Sequence, residues 1–382
     1  MTILTTHAGS LPRPKTLTEL YVRRSRGETI DAALLASEGD AATRWVVECQ
    51  RDAGVDIPSD GEQVREAFFL YVQRRMSGFG GRWSRPQGRE MDAYPEFAEA
   101  RRQEMARRTA ISNFEPPMAV GPVRYTAPEA NQAEIEGFKA ALDAARGDFS
   151  GAFITAPSPG IIAAALKNEY YATDDDYLDA LADALRVEYE AANAHGLLLQ
   201  IDAPDLALER HISFADRPIG EFVKFVERII AKINQALVNV PRDRVRLHVC
   251  WGNYESPHDQ DVALREILPA ILQADVGAIM LPFANPRHQH EINIFKDIPL
   301  AANQSLIAGV IDTCTNFIEH PQVVADRLER AAQAVGDPAR IHAGTDCGFD
   351  TSAGMGRLTP DIVWAKLRAL RDGADIANAR LF

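Results

Sequence analysis

Short β-branched runs alternate with longer amphipathic stretches along nearly the whole chain. This alternation predicts an α/β fold, a (β/α)8 TIM barrel with a helical and loop insertion in its N-terminal half. Two further observations support it. The candidate strands end in polar, chemistry-bearing residues, as barrel strands do at their C-terminal face. The 382 residues suffice for one barrel with an insertion. The runner-up architecture is an open doubly wound sheet. The reading is a single catalytic barrel over residues 1–382.

Candidate strands begin near Ile3, Val55, Met118, Phe153, Leu197, Val245, Val276, Leu306 and Ile341. That is one more than a barrel needs, and the segment near Met118 is the outsider because it follows a long irregular excursion. Helical periodicity is clear over 178–194 (Leu178, Leu181, Leu185) and 218–238 (Val226, Ile229, Ile233). The excursion at about 74–117 begins as a glycine-rich loop (Gly78, Gly80, Gly81, Gly88) and continues as a charged helix. From Arg74 to Arg108 it holds nine arginines against five acids, within a chain of net charge -13. It reads either as a solvated helical hairpin or as a lid meeting an anionic substrate, since arginine forks match carboxylates.

The acidic balance argues against nucleic acid or an anionic membrane as partner. No apolar stretch approaches the length of a membrane span, and the first residues lack a signal-peptide pattern. Four cysteines in so long a chain make no disulfide framework. A reducing, cytoplasmic setting is expected, with cysteines in metal or packing roles. The partners expected are small molecules; the oligomeric state is not readable.

The candidate strand ends carry Gly9-Ser10, Gly61-Glu62, Asp202, His248 with Cys250, Asp312, and Asp346-Cys347. His248, Cys250 and Cys347 form the strongest set. One imidazole and two thiolates, about a hundred residues apart in sequence, select zinc over oxygen-seeking magnesium or calcium. Three protein ligands leave a coordination position open, as catalytic zinc requires. Taken singly, each would read as a core histidine or a small buried hydrophobe. Cys49 lies in a helical pattern and reads as packing. Cys314, in Asp312-Thr313-Cys314, stands past a strand end near the proposed metal. His288 and His290 look like a metal pair but fall in a loop, where substrate or structural contact is the better reading.

With these residues in place, the chain resembles the C-terminal catalytic barrel of cobalamin-independent methionine synthase, and more closely the stand-alone single-barrel relatives. The matching stretches are Thr-Thr-His-Ala-Gly-Ser-Leu-Pro-Arg-Pro (5–14), Asp-Gly-Glu (60–62), Gln-Ile-Asp-Ala-Pro-Asp-Leu (200–206), His-Val-Cys-Trp-Gly-Asn (248–253), Ala-Asn-Pro-Arg-His (284–288), Gly-Val-Ile-Asp (309–312) and Asp-Cys-Gly-Phe (346–349). The resemblance implies a barrel, a catalytic zinc, and alkyl transfer to a thiol in methionine biosynthesis. His248, Cys250 and Cys347 match its zinc ligands. Ser10, Glu62 and Asp202 match positions holding the amino-acid thiol, homocysteine in the parent enzyme. Asn253, Arg287 and His288 extend the expected substrate set; Asp312 and Cys314 are the expected catalytic pair.

Two positions depart from the family. Pro282 stands where a fourth ligand, a glutamate, is expected, and Cys314 falls at or beside the family's acid histidine. Ala203 also replaces an acidic residue common in the family. The first reaction implied is methyl transfer from a methylated tetrahydrofolate to homocysteine or a similar thiol. The alternatives are epoxide opening by a thiol such as coenzyme M, a metal-free decarboxylase on the same barrel, and a non-catalytic zinc-binding partner of another methyltransferase.

Overall fold

The computed structural model describes residues 2–382. Two short strands, β1 (Phe79–Gly80) and β2 (Met118–Ala119), form a separate antiparallel pair. Six others form a parallel sheet in sequence order: β3 (Phe153–Pro157), β4 (Leu198–Asp202), β5 (Val245–His248), β6 (Ala278–Pro282), β7 (Ser305–Ile311) and β8 (Ile341–Thr345). The Met118 segment is thus outside the barrel, as the sequence suggests.

The first two barrel positions are filled by extended segments around Thr5 and Ser59. Thr5 bridges Ala343 of β8, and Ser59 bridges Phe153 of β3, both in parallel. The Thr6 amide donates to the Ala343 carbonyl (2.8 Å) and the Ala343 amide to Leu4 (2.9 Å). The Ile57 amide donates to Thr5 (3.0 Å), and that of Phe153 to Pro58 (2.9 Å). Backbone hydrogen bonds therefore run round the whole ring. These two segments are not regular ladders for local reasons. The Asp56 carboxylate accepts from both the amide (2.7 Å) and the hydroxyl (2.9 Å) of Thr5, and Pro58 has no amide to donate.

Strand side chains alternate between two faces. Leu199, Ile201, Leu247, Ile279 and Leu281 join the main hydrophobic cluster with helix residues such as Leu181, Leu185, Ile229 and Ile233. Their neighbours Gln200, Asp202, Arg246, His248 and Met280 therefore face the barrel interior. The register places Gln200 beside Arg246, and Asp202 beside His248.

The helices found are Asp174–Ala194 and Ile219–Ala236 where periodicity predicts them. The first is capped by the Thr173 side chain and opens on three aspartates, which suit the positive end of the helix dipole. Ser158 caps the short helix Pro159–Ala165 through the Ile161 amide (2.9 Å). No helix among the described residues is long and apolar enough to cross a membrane.

The predicted excursion lies between the second barrel segment and the helix Pro128–Ala145. It contains β1 and the helices Glu90–Ala93 and Pro95–Ala106, and β2 follows directly after it. Trp83 Nε1 holds it to the Ala165 carbonyl (2.9 Å), Glu90 accepts from Ser256 (2.9 Å), and Asn113 bonds Ser352 (2.8 Å).

Candidate metal centre and cavity

His248 is the last residue of β5, and Thr345 the last of β8. Cys250 and Cys347 each lie two residues beyond, where the backbone has left the ladder and turned over the barrel mouth. The Thr345 hydroxyl fixes one of these turns by donating to the Cys347 carbonyl (2.7 Å). All three side chains are buried, and their donor atoms lie within 4.8 Å of one another. The two sulfurs are 3.8 Å apart.

The Nδ1 of His248 meets Asp202 Oδ1 at 2.9 Å. This leaves Nε2 to face a metal, the usual division of labour for a ligating histidine. The protons are arranged accordingly. The hydrogen bond from Cys347 and, despite burial, the His248 charge hold the Cys250 thiol well below its ordinary value. Cys347, hydrogen-bonded to a buried thiolate, is pushed up. Burial opposes a charge on His248, but the Cys250 charge and the Asp202 bond overcome it, to about 10. One soft nitrogen, two sulfurs and a ready thiolate fit zinc.

The trio opens into a cavity of about 480 Å³. Ser10, Glu62, Asp202 and Asn253 line it too, so four of the expected substrate residues share it with all three metal candidates. Glu62 is the most unusual of them. It is buried, has a φ of 57°, and its Oε2 has no hydrogen-bond partner. Its Oε1 accepts from the Thr155 hydroxyl at 3.0 Å. Burial, then the charge of Asp202, pushes its carboxyl from 4.5 up to about 8. Two glycines allow this crowding: a Cβ on Gly9 would stand 2.9 Å from Glu62 Oε1, and one on Gly348 only 2.0 Å from Ser10 Oγ.

The excursion is the roof of the cavity. Met91, Arg101, Arg102, Met105 and Phe114 line it, along with Arg357 from beyond β8. The excursion is thus packed over the cavity rather than standing free as a solvated hairpin. Most of its arginines are paired, Arg85 with Glu209 and Arg108 with Glu104 among them. Arg101, Arg108 and Arg357 all approach the Glu104 carboxylate, and Arg357 also pairs with Glu255 (2.6 Å).

Four expected site residues lie elsewhere. Asp312 and Cys314 do not line the cavity. The Asp312 carboxylate accepts from the Cys314 amide (2.6 Å), and the Cys314 thiol and Thr313 hydroxyl both reach Asn253 Oδ1 (3.4 and 2.9 Å). Burial pushes the Cys314 thiol up to about 12. Arg287 is exposed. His288 is buried off the cavity, stacked 4.0 Å from Trp251 and bonded to Asp261 (2.8 Å) and Glu291 (2.8 Å). Asp261 also meets His258 (2.9 Å) and His211 (3.2 Å), which makes this a structural junction between loops. His290 is exposed. Pro282 closes β6 and offers no ligand atom, so the family glutamate has no counterpart there.

The sequence reading missed Thr155, Tyr254 and Arg357, whose partners are set by folding alone. It also missed Gln200 and Arg246 beneath the trio. A polar residue at alternate positions of an otherwise apolar strand was the available signal.

Fold and site together define an α/β barrel with a buried cluster of one imidazole and two cysteine sulfurs that could hold a metal, roofed by the excursion. No protein-family model matches the chain. A methionine synthase of Sulfolobus acidocaldarius is 26% identical over 91% of this chain and 86% of its own length. One from Thermococcus kodakarensis is 24% identical over 98% of this chain and 93% of its own. A solved B12-independent methionine synthase from Shewanella sp. W3-18-1, in complex with selenomethionine, superposes with a TM-score of 0.72. It shares 22% identity and covers 100% of this chain and 99% of its own. The chain is thus related along its whole length to methionine synthases, and its fold is that of a cobalamin-independent one.

Proposed function

We propose that this protein is a zinc-dependent methyltransferase that moves a methyl group from a small-molecule donor to the thiol of homocysteine. The observation that carries the reading is the convergence of His248, Cys250 and Cys347 with Ser10, Glu62 and Asp202 in one lidded cavity. The methionine synthase relatives span the same residues.

His248, Cys250 and Cys347 would hold the zinc, which would lower the pKa of a substrate thiol so that the nucleophilic thiolate dominates at neutral pH. The chain's own residues do the rest. Glu62 Oε2, buried without a partner, receives the substrate ammonium group, and that charge draws the carboxyl back to its ionised form. Asp202 holds His248 in register. Cys314 acts through Asn253, whose Oδ1 accepts from its thiol at the cavity wall, while the Asp312 carboxylate holds the Cys314 amide in place. The lid excludes water and holds the donor in line; such positioning can be worth on the order of 7 kcal/mol. Arg101, Arg102 and Arg357 suit the carboxylates of a methylated tetrahydrofolate.

The test couples metal analysis to a thiol assay. About one zinc per chain is expected, with conversion of homocysteine to methionine when a methyltetrahydrofolate is supplied. Cys250→Ser and Cys347→Ser should each remove most of the metal, since a hydroxyl is a poor zinc ligand beside a thiolate. Full zinc content in the double variant would sink the site. Zinc-loaded protein that ignores homocysteine but consumes thiol with small epoxides would sink the reaction.

A further inference from the structure

Beneath the trio, two buried polar side chains that do not line the cavity, Arg246 and Gln200, lead to Asp202 and His248. Arg246, on β5, points into the barrel two residues before His248. Its Nε donates to Gln200 Oε1 (2.8 Å). Gln200 Nε2 donates to Asp202 Oδ1 (2.7 Å) and to the Ala8 carbonyl (2.7 Å). Asp202 Oδ1 then meets His248 Nδ1 (2.9 Å). Gln200 is fully buried, and Arg246, Asp202 and His248 nearly so.

The amide of Gln200 has only one tolerable orientation. Arg246 demands an oxygen, while the Ala8 carbonyl and Asp202 demand the two N–H bonds. Reversing it would face N–H against N–H and oxygen against oxygen in a buried site. Arg246 is itself pinned by the Thr6 hydroxyl (2.9 Å), the His7 carbonyl (2.6 Å) and the Phe153 ring face (3.5 Å). It makes no ion pair, although burying an unpaired guanidinium is unfavourable. Packing alone would be served better by an apolar side chain.

We propose that Arg246 is a positioning residue for the metal centre: through Gln200 and Asp202 it fixes the His248 ring with Nδ1 protonated and Nε2 free for the metal. The inference rests on the zinc reading above. Arg246 holds the Gln200 oxygen, the Gln200 amide hydrogens hold Asp202, and Asp202 is left with an acceptor for His248 Nδ1–H. No member of the relay except Asp202 reaches the cavity. Its effect is therefore on how well the site holds metal, before any substrate binds.

Zinc affinity, by competition with a coloured chelator, and the His248 Nδ1–H proton of the zinc-loaded protein, by NMR, test this together. Arg246→Met should weaken zinc binding by about 10- to 100-fold and remove or broaden the ring proton, with helical content unchanged. Arg246→Lys, which can still donate to Gln200, should restore most of the affinity. Should Arg246→Met fail to fold, Gln200→Met carries the same test, with the same losses expected. Wild-type affinity and ring proton in the methionine variants would overturn the relay, as would a lysine variant no better than methionine. If the wild-type protein itself binds no zinc, the functional reading has failed rather than the relay.

Discussion

Glu62 shows at single-residue scale what the site demands of the fold. An L-residue at a φ of 57° is strained by about 1–2 kcal/mol, and a buried oxygen without a partner costs about as much or more. Both are tolerated because a substrate ammonium group would complete the pair. The pH consequence has a definite sign. The carboxyl rises from 4.5 to about 8 on folding, so the native state holds its proton more tightly than the unfolded chain. Stability from this group therefore falls as pH rises from 4.5 through 8. Glu62→Gln should raise the melting temperature more at pH 8.5 than at pH 5, and weaken homocysteine binding at least tenfold. An equal shift at both pH values would show that the charge is not what destabilises. The importance of Glu62 was legible from its place after a strand, but its backbone strain was not. Asp202 is expected from the resemblance to hold the substrate; the structure adds that one of its oxygens meets His248, a contact made across two strands that no local pattern reveals.

At the scale of elements, loops rather than strands separate the expected site residues that line the cavity from those that do not. His248, Cys250 and Cys347 were legible because each sits within two residues of a strand end, where the backbone direction is still set by the sheet. Cys314, Arg287 and His288 stand three to six residues past theirs, and by then the loop has turned away from the cavity. His288 instead ties the loop after β6 to Asp261 of the loop after β5. Burial opposes its charge, but hydrogen bonds to Asp261 and Glu291 carry its pKa from 6.5 up to about 9. A histidine raised on folding stabilises fully below 6.5 and loses that contribution as pH rises through 9. The melting temperature of wild type should thus exceed that of His288→Asn most at pH 6, with the gap closing towards pH 10. A gap constant across that range would remove the charge from the account. The lid was legible as a departure in composition, since its glycines and arginines interrupt the strand–helix rhythm. Its position over the cavity was not, because contacts such as Trp83 with Ala165 span 82 residues.

For the molecule as a whole, a metal at the trio would be an addition to a barrel that already has its core. The hydrophobic cluster extends from Ile3 to Ala377 without including the trio. Zinc removal by a chelator should therefore lower the melting temperature without loss of secondary structure. Ligand at a hundredfold excess over its dissociation constant is worth about 2.7 kcal/mol, and collapse of the circular dichroism on chelation would contradict this view. The barrel was legible from alternation, whereas the irregularity of its first two segments came from Asp56 and Pro58. The ring seam has a consequence for how such a chain matures. Thr5 and Ala343 pair across 338 positions, so a ribosome emitting residues one by one releases the first barrel segment long before its neighbour exists. Six strands can assemble in order as they emerge, but the circle waits for β8, and contacts so distant in sequence form slowly. Cys347 arrives two residues after that final strand. A nascent chain therefore cannot bring its three metal candidates together around a half-built barrel: their convergence and the closing of the ring both wait for β8.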